Sequence, residues 1–119
     1  MDGNVENKKT ELLEVLKNSP EVKRFEKARA AIKGRADARE RIDAFRSSVY
    51  SLHNGPETVD MLDKMNGLFA LREELHQDPQ IAEYLDSELD VCRMLQKICM
   101  EVMNVTDLEI EAFEWIISS

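Results

Sequence analysis

The residues of this 119-residue chain that could do chemistry are few, and the apolar periodicity reads all of them as helical. Glu73 and His76 stand three apart, so a helix would put a carboxylate and an imidazole on one face. That is half of the pattern by which helical bundles hold two iron or manganese ions. The other half is missing, because His53 has Tyr50 three residues before it, and only a dimer would double the motif. A plainer role for His76 is to complement the dipole at a helix C-terminus. Cys92 and Cys99 are seven residues apart, ~10.5 Å on a helix, and cannot bridge each other there. A twin helix could bring four thiols together for a metal or cluster, but within an apolar arc the pair is expected to act as small buried hydrophobes. Glu88 falls inside that arc, between Leu85 and Cys92, where an unpaired carboxylate is costly. It calls for a buried ion pair with an arginine such as Arg72, or a register-setting contact across a dimer. As a general base or ligand it lacks a convergent second acid, histidine or nucleophile. With no phosphate loop, nucleophile–base motif or paired-cysteine zinc pattern either, the sequence assigns no catalytic residue, metal ligand or cofactor, and the chain reads as a non-enzyme. The competing reading is a metal-binding helical enzyme that gathers Glu73, His76 and Glu88 across a dimer.

The elements that would position these residues are helices throughout. Aromatic residues are 6% of the chain and glycine and proline together number seven, whereas Glu, Lys, Arg, Leu, Ala and Met abound. The expected fold is a single all-α domain over residues 1–119, a bundle of five to six helices with a long helix in its C-terminal half. Residues 1–9 are expected to be disordered, and a first helix runs from Thr10 to Lys17, capped by Thr10 or Asn7. Ser19-Pro20 restarts the chain as a helix to Lys33, ended by Gly34. From Ala36 to Leu52, the residues Ala38, Ile42, Phe45, Val49 and Leu52 form a heptad seam against which another helix should pack lengthwise. Asn54-Gly55-Pro56 turns the chain into a fourth helix from Glu57 to His76. Its two apolar stripes, one through Met61, Met65 and Leu68 and one through Leu62 and Phe69, make it a central helix. Gly67 in its middle costs ~1 kcal/mol against alanine, so a neighbouring backbone approaches there or the helix bends.

Asp78-Pro79 opens a fifth helix that continues to Asn104, ~38 Å long, with apolar residues over almost half its circumference. One partner helix cannot cover so wide an arc, which points to a dimer. The interface residues expected from it are Leu85, Glu88, Cys92, Leu95, Cys99 and Val102. Residues 106–119 carry a capping box and a short terminal helix that adds Phe113 and Trp115.

The net charge is −8, divided as −1 over residues 1–18, +4 over 19–55 and −11 over 56–119. So acidic a molecule repels nucleic acid at long range, and direct binding is not expected. The basic segment between Lys23 and Arg41 is read as a solvated face or as the complement of the acidic half of this chain or of a twin. An RNA-binding module using residues 19–55 is the third reading, and it predicts steep salt dependence. No apolar run is long enough to cross a bilayer and the N-terminus has no signal-peptide core, so the expected location is the cytoplasm, without a membrane partner.

Two stretches together carry a resemblance. Ser19-Pro20-Glu21-Val22-Lys23-Arg24-Phe25 with Ala28, the later Ala38, Ile42 and Phe45, and Asp78-Pro79-Gln80-Ile81-Ala82-Glu83-Tyr84-Leu85 with Glu88 resemble the YlbF/YmcA family of small helical proteins of Gram-positive bacteria, over residues 8–104. The resemblance implies an all-α bundle that self-associates or pairs with a relative. It also implies a regulatory role, in a complex that modulates RNase Y and messenger-RNA processing, with effects on competence, sporulation and biofilm formation. Some relatives carry a cysteine-bearing tail linked to an iron–sulfur cluster; this chain has the Trp115 segment instead, and the cluster does not carry over.

Overall fold

The computed structural model describes residues 2–55 and 60–106, and among these the chain forms five helices and no strand. They are α1 (Gly3–Lys17), α2 (Pro20–Lys33), α3 (Ala36–Asn54), α4 (Met61–His76) and α5 (Pro79–Val105). Two helices begin as the sequence predicts. Ser19 Oγ accepts from the Val22 amide at 3.3 Å, and Pro20 sits in the first turn, where it has no donor to lose. Asp78 Oδ1 accepts from the amides of Gln80 and Ile81 at 3.0 and 3.3 Å, just ahead of Pro79.

The first helix corrects the sequence reading. It starts at Gly3, with Asp2 accepting from the Asn4 amide, so the polar stretch to Lys9 is helical and not disordered. Exposed pairs Lys9–Glu6 and Lys8–Glu11 line its surface, and Thr10 Oγ1 donates back to the Glu6 carbonyl instead of capping. α3 ends at Gly55, whose amide donates to Ser51 O at 2.9 Å. A Cβ on Gly55 would meet that oxygen at 2.6 Å, so the close return is made by the residue without a side chain.

Ion pairs fix the directions of the helices. Arg35, just after α2, meets Asp78 at the start of α5, while Arg24 on α2 meets Glu83 and Asp90, so α2 and α5 run antiparallel. Arg46 on α3 meets Glu88, so α3 runs in the same sense as α5. α4 packs on α3 and reaches α5 through Leu75 and His76. The core lies where these helices meet: Ala28 and Ile32 from α2, Ala38 and Ile42 from α3, Leu75 from α4, and Ile81 and Tyr84 from α5. Phe25, Phe45 and Leu85 flank it, and the buried Ser87 hydroxyl donates to the Tyr84 carbonyl at 3.1 Å.

This core occupies one end of an extended molecule. The α3 seam is closed at Ala38 and Ile42 and opens beyond them, with Phe45 and Leu52 half-buried and Val49 exposed. The radius of gyration is 18.0 Å, against roughly 13–14 Å for a compact globule of this length. The extents are 50 × 37 × 17 Å. With helices packing about 8–10 Å apart, the smallest of these admits no more than two layers, so no helix is enclosed on all sides. α4 does meet neighbours on more than one side, α3 and α5, but it is not enclosed as its two stripes implied; Leu62 and Phe69 are 68% and 58% exposed.

Candidate interaction surface

The residues singled out on α5 lie at spacings of 3, 4, 3, 4 and 3, one continuous strip along a helix. The strip begins in the core and leaves it. Leu85 packs against the buried cluster, Glu88 is half-buried, and Cys92, Leu95, Cys99 and Val102 are exposed, Val102 at 58%. From Glu88 to Val102 the strip is about 20 Å long. The expectation that Cys92 and Cys99 are buried is therefore corrected: both are free and exposed. The wheel placed them correctly among apolar neighbours, but no described helix covers that face. Phe113 and Trp115 lie outside the described residues.

Glu88 has a partner, though not Arg72. Arg46 Nη2 donates to both carboxylate oxygens, at 2.7 and 2.6 Å, and its guanidinium lies over the Tyr84 ring, 5.5 Å from the centroid. The reason is reach: the long Arg46 side chain extends from α3 across Tyr84 to Glu88, whereas α4 meets α5 near Leu75 and His76. Both side chains are partly exposed, so the pair is not the buried one the sequence implied.

Arg72 instead lends its backbone carbonyl to His76. His76 Nδ1 is 2.9 Å from Arg72 O, and Nε2 is 3.0 Å from Asp86 Oδ1 on α5. Both partners are acceptors, so making both bonds requires a proton on each nitrogen. The Asp86 hydrogen bond, then that to Arg72 O, accordingly raise the His76 pKa above its ordinary 6.5. His76 thus ties α4 to α5, and Glu73 is not its partner. Among the described residues no three histidine, cysteine, aspartate or glutamate side chains are gathered to hold a metal ion. A second apolar strip, Leu62, Met65 and Phe69 on α4, is also exposed. Its 3, 4 spacing was visible in the sequence, but the width of α4's apolar arc made it read as interior.

Among the described residues, no helix is long and apolar enough to cross a membrane. Fold and surface together define an all-α protein with apolar helix faces left open among the described residues. The family model described as control of competence regulator ComK, YlbF/YmcA, matches residues 5–105, and the chain belongs to that family, whose description is regulatory. No curated protein and no solved structure matches the chain.

Proposed function

We propose that this chain is a non-enzymatic adaptor that pairs through the exposed strip of α5, with a second copy or a related helical protein, and acts on a protein partner in the cytoplasm. The surface carries this reading. The structure exposes 9270 Å², roughly 2,700 Å² more than the ~6,600 Å² expected of a compact monomer of its mass. A stable pair hides about 800 Å² on each partner, and obligate ones hide more, mostly apolar, surface. The strip Leu95, Cys99 and Val102 supplies apolar area at a spacing that a second helix can match.

The regulatory description of the family supports action on another protein. The finer reading, with RNase Y as the partner and competence, sporulation and biofilm formation as the processes affected, follows from the resemblance of the Ser19–Phe25 and Asp78–Leu85 stretches. Sedimentation equilibrium of the wild type and of Leu95→Glu/Val102→Glu tests the pairing: a wild-type dimer and a monomeric variant are expected. A wild type that stays monomeric at tens of micromolar, or a variant that still pairs, would refute it. Recovery of an RNA-processing enzyme with the tagged wild type, and its loss with the monomeric variant, tests the adaptor role.

A further inference from the structure

α2 and α3 diverge from the turn at Gly34 and Arg35, and the wedge between them holds a cavity of about 610 Å³. Ile32, Ile42 and Tyr84 form its apolar lining. Each helix adds a row of charges, Glu26, Arg29 and Lys33 from α2 and Arg39, Asp43 and Arg46 from α3. Four cations against two carboxylates reverse, locally, the balance of a chain whose net charge is −8. Arg46 is held by Glu88 and Arg29 lies over the Phe25 ring. Lys33 and Arg39, both exposed, have no carboxylate partner among the described residues.

The geometry points to this wedge as a docking site for a short, extended, acidic segment of a separate protein. Its carboxylates would meet Lys33, Arg39 and Arg29, and an aliphatic side chain between them would rest on Ile32, Ile42 and Tyr84. Size selects an extended segment. The cavity falls within the roughly 300–1,000 Å³ of ligand pockets, whereas even a 10 Å length of helix, about 10 Å across, fills ~800 Å³. The helices of a second copy are poor occupants for the same reason of size, and three of the four connections between the described helices are only two residues long. Nucleic acid is a poorer one, because a phosphodiester backbone carries no aliphatic group for the Ile32, Ile42 and Tyr84 lining, whereas a peptide can alternate carboxylates with aliphatic side chains. The site adds a contact for another chain to the adaptor reading and does not depend on self-association.

Fluorescence anisotropy decides it, using the full chain and a labelled hexapeptide of alternating glutamate and leucine, with glutamine replacing glutamate in the control. The acidic peptide is expected to bind, more weakly as salt rises. Its affinity should fall about tenfold or more in Lys33→Glu/Arg39→Glu, the scale of two reversed charge contacts, and stay unchanged in Lys97→Glu. The Ile32 and Ile42 methyl resonances should move on binding to the wild type, a readout that stands even if the double variant loses helicity. Equal binding of the glutamine peptide, full affinity in a folded double variant, or unmoved Ile32 and Ile42 methyls would overturn the proposal. So would displacement of the peptide by single-stranded RNA at lower concentration than by unlabelled peptide. Sedimentation of the double variant reads self-association separately.

Discussion

Arg35 and Asp78 meet fork to fork, with Nη1 to Oδ1 at 3.1 Å and Nη2 to Oδ2 at 2.7 Å, joining the turn between α2 and α3 to the turn between α4 and α5. Arg35 also reaches Asp37 and Gln80, so one guanidinium gathers both turns at the closed end of the molecule. Asp78 is shared between this fork and the first free amides of α5.

The Arg35 hydrogen bonds hold the Asp78 carboxyl at about 2, below its ordinary 3.8. A depressed carboxyl contributes stability that is present above its unfolded value and is lost as pH falls through its folded value. Wild-type stability in urea should therefore decline between pH 4 and 2 more than that of Asp78→Asn, which keeps a capping oxygen but not the charge. Asp78→Ala should be less stable than Asp78→Asn at neutral pH by about 1 kcal/mol, the worth of an N-cap.

Histidine 76 responds in the opposite direction. A raised histidine contributes stability that is fully present below its unfolded pKa and is lost as pH rises through the folded one. Stability should thus fall as pH rises above 6.5, and His76→Gln should flatten that slope. Nitrogen-15 spectra at pH 6 should show both ring nitrogens of His76 protonated. A neutral ring there would contradict the pair of hydrogen bonds that His76 donates to Arg72 O and Asp86.

Arg46 and Glu88 should couple, and Arg72 and Glu88 should not. In a double-mutant cycle by thermal or urea unfolding, alanine at both members of the first pair should reveal about 0.5–1 kcal/mol, the range of partly exposed ion pairs. The cycle with Arg72 should give a value near zero.

At Gly67 a Cβ would meet nothing within 4 Å, so no described neighbour accounts for a glycine in mid-helix. Gly67→Ala should raise stability by about 1 kcal/mol and the melting temperature by roughly 4 °C or more. A lower melting temperature would show that the backbone at Gly67 departs from what alanine tolerates.

What could be read from the sequence was what is decided locally. Ser19-Pro20 and Asp78-Pro79 start helices because a short polar side chain and a missing donor act within one turn, and both starts stand where expected. The YlbF/YmcA resemblance likewise rests on those stretches, and the family match includes them. Asp2 gives no such signal, because α1 buries nothing and apolar periodicity does not mark its first turns. Glu88 was placed correctly on its helix, yet its partner depends on which side chain reaches it, and the sequence separation between Arg46 and Glu88 carries no trace of that. Cys92, Cys99 and Phe69 show the same limit. A wheel ranks side chains by polarity, but whether they are covered depends on how many helices remain to cover them.

The closed end has a mechanical consequence. The buried residues of α5, Ile81, Tyr84 and Ser87, all lie in its first nine positions, and the helix continues to Val105. It is a lever whose last ion-pair ties are Glu88 with Arg46 and Asp90 with Arg24, and an arm of about 22 Å runs on from Asp90 to Val105. A rotation of ~5° about those ties displaces the tip by roughly 2 Å over such an arm. A small change in how those ties set the helix is therefore magnified toward Val102.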